Sequence, residues 1–125
     1  MTYKLTIDGR LPDLNDYIKE CNRHRQNGAK LKKTTEQQIG VFIRKQLRNV
    51  AIEKPVFVKF TWYEPNKKRD IDNVAAAKKF IFDALQYYGV LKGDGWACVQ
   101  GFTDEFFVDA INPRVEVVLK TDLPF

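Results

Sequence analysis

A chain of 125 residues carrying 44% hydrophobic and 30% charged side chains has enough apolar material for one folded core, which excludes a disordered tail and favours a single domain over residues 1–125. Its net charge of +5 favours a polyanionic partner. No stretch approaches the ~20 apolar residues of a membrane helix, residues 1–7 lack the apolar run of a secretory signal, and Cys21 and Cys98 form no paired motif, so a cytoplasmic, reducing setting is expected.

In chain order, Tyr3, Leu5 and Ile7 alternate with Lys4 and Thr6 as in a half-buried strand, and Gly9 to Pro12 ends it. Leu14, Tyr17, Ile18 and Cys21 then recur at helical spacing from about Asp13. His24, the only histidine, reads as a surface residue and leaves no basis for a His-rich zinc site or a Ser-His-Asp triad. Residues 26–33 read as a glycine-containing basic loop with Lys30, Lys32 and Lys33. Thr34 followed by Gln37 offers a capping box for the next helix. That helix carries Ile39, Phe42, Ile43, Leu47 and Val50 on one side and Arg44, Lys45 and Arg48 on another. The basic side is equally consistent with simple solvation and with phosphate contact.

Pro55 opens a strand with Val56, Val58, Phe60 and Trp62 on one face, and Pro65-Asn66 turns it into Lys67-Lys68-Arg69-Asp70-Ile71-Asp72-Asn73. Three cations thus precede two carboxylates at i and i+2. In extended chain those carboxylates project to one side, and Asp72 or Asn73 is a suitable N-cap for a helix from about residue 73 to 88. Converging carboxylates suit a hard cation such as Mg²⁺, and adjacent cations suit a phosphate chain. Taken alone, the same residues are equally consistent with a turn, a cap and a solvated loop. At about 3.6 residues per turn Lys79 falls on the face of Asp72, and Lys78 is less well aimed. Gly93-Asp94-Gly95 places one more carboxylate in a loop. Strand-like segments at 96–103, 106–110 and 114–120 complete an α/β (α+β) domain, a mixed sheet packed with about three helices.

Together, Pro65, the block from Lys68 to Asn73, Phe82-Asp83-Ala84-Leu85, Gly89-Val90 and Asp94 resemble the RusA family of Holliday-junction resolvases, small phage and prophage endonucleases. The resemblance is specific over residues 62–99 and looser near Leu11-Pro12, Asn15 and Tyr17. It implies a homodimer that cuts four-way DNA junctions in recombination and repair, with Mg²⁺ or Mn²⁺ held by Asp70, Asp72 and Asp94. A family lysine maps onto Lys79 when the helix is aligned from its C-terminal side; four residues after Asp72 this chain has Ala76, and the helix carries about one extra turn. Gly93-Asp94 stands where an acidic pair is common. Lys67, Lys68, Arg69, Lys30, Lys32 and Lys33 are the expected DNA contacts. The competing expectation is a module of the same fold that binds branched DNA without cutting it. An Asp-x-Asp sugar transferase is disfavoured, because nothing in the chain reads as a nucleotide-binding fold.

Overall fold

The computed structural model describes residues 1–122. Four strands, β1 (Thr2–Asp8), β2 (Val56–Glu64), β3 (Val99–Val108) and β4 (Arg114–Lys120), form one mixed sheet in the order β1-β4-β2-β3. β4 runs antiparallel to both of its neighbours, while β2 and β3 are parallel. The helices are α1 (Leu14–Arg23), α2 (Asn27–Gln46), α3 (Ile71–Ala75) and α4 (Lys78–Tyr87). This is the expected α+β domain, and no helix among the described residues is long and apolar enough to cross a membrane.

The core follows from alternation on the strands. Leu5, Ile7, Val58, Phe60, Trp62, Val117 and Leu119 are buried and pack with Ile39 and Ile43 of α2 and Ile81 and Leu85 of α4. Gln46 of α2 makes a two-way hydrogen bond to the backbone of Thr6, accepting from its N–H at 2.7 Å and donating to its carbonyl at 2.7 Å. Those backbone groups belong to an edge strand and would otherwise lack a partner.

Several local expectations are corrected. Residues 26–33 are not a loop: from Asn27 onward they form the first turns of α2. Gly28 is where α1 crosses, and a Cβ there would come within 2.2 Å of Cys21 Sγ. The glycine therefore serves a close helix contact rather than a turn. Thr34 and Gln37 lie inside α2 and cap nothing. The face expected to be buried on α1 is only partly covered, since Leu14 and Ile18 stay exposed while Tyr17 packs edge-on against Phe80. The single helix expected from residue 73 is two helices, beginning at Ile71 with Asp70 as the flanking residue. Between them Ala77 N–H bonds to Val74 C=O, Lys79 to Ala76 and Phe80 to Ala77, tight turns of the 3₁₀ type that redirect the chain. The segments expected at 96–103 and 106–110 are one continuous strand, β3.

Candidate active site

β2 ends at Glu64 and β3 ends at Val108, side by side and parallel. Beyond their carboxyl ends lies a cleft of about 750 Å³, lined by residues of the 64–74 segment and by Phe106, Phe107 and Val108. Ligands in open α/β sheets bind in this position, outside the carboxyl ends of parallel strands. Asp70 and Asp72 both line the cleft and both are exposed. The route by which they come together differs from the extended dipeptide expected. Only Asp70 is extended (φ −67°, ψ 146°), and Asp72 already lies in the first turn of α3. Asp72 Oδ1 accepts a hydrogen bond from the Asn73 N–H at 2.9 Å. Neither carboxylate is in an ion pair among the described residues.

Glu64 also lines the cleft, although no local pattern distinguishes it from other strand-end residues. Its carboxylate accepts from Arg10 at 2.8 Å and is largely buried. Lys67 and Lys68 are exposed and form no ion pair among the described residues; the Lys68 N–H bonds to Asn66 Oδ1 at 3.0 Å, closing a tight turn.

Arg69 is placed otherwise than expected. Its guanidinium turns away from solvent, donating to the Leu11 carbonyl at 2.9 Å and to Asp16 at 2.9 Å, with Asp13 3.3 Å away. Asp13 is buried and its side chain accepts from the Asp16 N–H, forming the N-terminal cap of α1. Arg69 thus bolts the start of α1 to the segment that carries Asp70, while it also lines the cleft.

Lys79 and Asp94 form a neighbouring network. Lys79 Nζ donates to Asp94 at 2.9 Å and lies 3.2 Å from Asp83 Oδ1. Lys32 Nζ is 3.1 Å from Asp83 Oδ2 in ion-pair contact, but off the line of a hydrogen bond, so that buried oxygen has no hydrogen-bond partner among the described residues. Alternating charges account for the proton affinities. Hydrogen bonding to Asp94 and then Asp83 raises the Lys79 pKa, close contact with the Asp83 carboxylate raises Lys32, and Lys79 lowers Asp94. Glu36 beside them is raised by burial. Lys79 and Lys32 border a smaller hollow of about 280 Å³ between α1 and the α3–α4 turn.

The structure therefore joins Asp70 to Asp72 and Lys79 to Asp94, but does not gather the three aspartates; among the described residues no set of three or more acidic, histidine or cysteine side chains could hold a metal ion. Two unpaired carboxylates open to water still fit a hard cation that keeps most of its water shell. Lys78, expected to be the less important lysine, packs inward. It pairs with Asp104 of β3 and lies 4.0 Å from the Phe102 ring centre, and Asp104 also accepts from Trp62 Nε1 at 2.8 Å. Lys30 and Lys33 are exposed on α2. No protein-family model matches the sequence, and no curated protein matches it.

Proposed function

We propose that the protein is a divalent-metal-dependent endonuclease of RusA type that resolves four-way DNA junctions in recombination and repair, acting as a homodimer in the cytoplasm. The observation that carries this reading is the pair of unpaired carboxylates, Asp70 and Asp72, facing one cleft beside the unpaired cations Lys67 and Lys68. Asp70 and Asp72 would hold Mg²⁺ or Mn²⁺, with Asp94 as the third ligand that the RusA resemblance implies. Bound there, such a cation would supply an acidified water and charge stabilisation at the phosphate. Lys67 and Lys68 draw the phosphate backbone to the cleft without reading sequence. Phe106 and Phe107 wall one side of it. Lys79, paired with Asp94 here, would stabilise charge on the phosphate or orient the water, as the RusA resemblance implies. Two opposed nicks resolve a two-fold junction, and one site per chain makes one nick, so a symmetric pair of chains is required.

The pairing of Asp94 with Lys79 favours one alternative, a module that binds branched DNA without cutting it. Incubating the protein with a synthetic four-way junction and a matching duplex, with Mg²⁺ or with EDTA, separates the two readings. Paired nicks that depend on Mg²⁺ and disappear in Asp70→Asn and Asp72→Asn, with junction binding retained, are the expected result. Wild-type cutting in both variants would remove these residues from the chemistry, and tight junction binding without cutting under any divalent cation would favour the alternative.

A further inference from the structure

Along α2, Lys30, Lys33, Gln37, Val41 and Arg44 follow one another at intervals of three or four residues, and Arg48 continues the row just past the helix end. Such spacing places them on one face. From Lys30 to Arg44 the row is about 21 Å long at 1.5 Å per residue, or about six base steps of a DNA strand. The only carboxylate within α2 is Glu36, which is half-buried and lies off this row. Lys30, Lys33 and Arg48 form no ion pair among the described residues, whereas Arg69, Lys78, Lys79 and Arg114 are each held by a carboxylate. The row's cations are thus available to a partner, as Lys67 and Lys68 are and Arg69, Lys78, Lys79 and Arg114 are not.

Aromatic rings complete the surface. A Cβ on Gly40 would come within 2.3 Å of the Tyr88 ring, so the absence of a side chain lets that ring lie against α2. Arg44 Cζ stands 5.1 Å above the Tyr88 ring centre, and Tyr87 packs edge-on against Tyr88 while remaining 80% exposed. Shallow hollows of about 460 and 320 Å³ flank Tyr88, one bordered by Arg44 and Arg48, the other by Lys33 and Tyr87. The second hollow also includes Lys32, whose ammonium contacts Asp83, the carboxylate shared with Lys79. The basic row therefore begins beside the Lys79–Asp94 network and leads away from it.

We propose that this α2–Tyr87/Tyr88 surface is a track for the phosphate backbone of a DNA duplex arm leading away from the cleft, an inference that rests on the nuclease reading above. Unpaired cations on a rigid rod suit a regularly charged polymer, and the row offers only Val41 and Tyr87 as apolar groups, too few to insert into a lipid surface.

The test is binding in EDTA, by fluorescence anisotropy, of a 30-base-pair duplex and a four-way junction over a range of salt. For Arg44→Gln/Arg48→Gln, two lost phosphate contacts should reduce the slope of log K against log salt by about two and weaken binding about 60-fold at 0.1 M salt. Arg44→Lys/Arg48→Lys keeps the charge and should retain the wild-type slope, which separates the track from a folding defect. Unchanged affinity and slope in the glutamine variant overturn the inference, as does wild-type protein that binds vesicles of anionic lipid but not duplex. If the glutamine variant binds like wild type while wild type cuts junctions, the track falls and the nuclease reading stands. If wild type never cuts but loses salt-sensitive binding in that variant, the nuclease reading falls and the track survives.

Discussion

Replacing Arg69 by glutamine should cost the fold about 3 kcal/mol, even though the residue sits in a run of cations that reads as a DNA contact. The guanidinium holds three acceptors from the other end of the domain: the Leu11 carbonyl, Asp16 and Asp13. Asp16 is 45% exposed and contributes little, within about 1 kcal/mol for a surface pair. Asp13, only 5% exposed, is the main term, because glutamine would leave its charge buried without a cation. With roughly 2 cal/mol/K of unfolding entropy per residue, that cost lowers Tm by about 11 °C. Adding Asp13→Asn should recover part of the loss, since asparagine is neutral and still caps α1. Calorimetry of both single variants and the double variant gives the coupling directly. An Arg69→Gln protein that melts with wild type but loses DNA affinity would refute the clamp and return Arg69 to the DNA surface.

The Lys79–Asp94 pair should be visible in pH dependence. Lys79 depresses the Asp94 pKa, so this contribution is present above the ordinary carboxylate range and is lost as pH falls through about 4 toward the lower folded value. The raised Lys79 pKa gives the mirror case, stability held below about pH 10 and lost as pH rises through the folded value. In Lys79→Ala the carboxyl resonance of Asp94 should titrate at higher pH than in wild type; an unmoved titration would break the pairing. Asp104→Ala should cost about 2–4 kcal/mol in urea unfolding, because it strands both Lys78 and the Trp62 N–H, whereas Glu105→Ala, which breaks an exposed pair with Lys59, should cost under about 1 kcal/mol. Equal costs at the two positions would show that the inward pairing of Lys78 contributes no more than a surface contact.

Where local pattern decided the structure, the sequence was sufficient. The alternation of Val56, Val58, Phe60 and Trp62 marked β2 to its ends, and Asp13 marked the start of α1. Helical phase counted from Asp72 put Lys79 on the face of that carboxylate, but the chain is redirected at Ala77, and Lys79 reaches Asp94 while Lys78 turns to β3. Where tertiary contact decided it, local signals misled. Gly28 looked like a loop residue because its value lies in letting Cys21 approach from another helix. Arg69 looked like a free cation because Asp13 and Asp16 are more than fifty residues away in the chain. Asp70 and Asp72 were read correctly as neighbours on one side but for the wrong reason, since α3 starts two residues earlier than its capping candidates implied. Alternation could not reveal the distance between these two and Asp94, which depends on how the 3₁₀ turns at Ala77 set α4 relative to α3.

The position of β4 governs the order in which the protein can assemble. β1 and β2 are not neighbours in the sheet, and the strand between them is the last of the four to be synthesised, beginning only at Arg114. Until then a nascent chain can make the parallel β2–β3 pairing but leaves β1 detached and one side of β2 without a partner. A ribosome-bound or truncated chain ending before Arg114 therefore presents an open strand rich in valine and aromatic residues, the kind of edge that recruits other chains. Closure of this sheet consequently waits on β4, a late strand that inserts between two made before it.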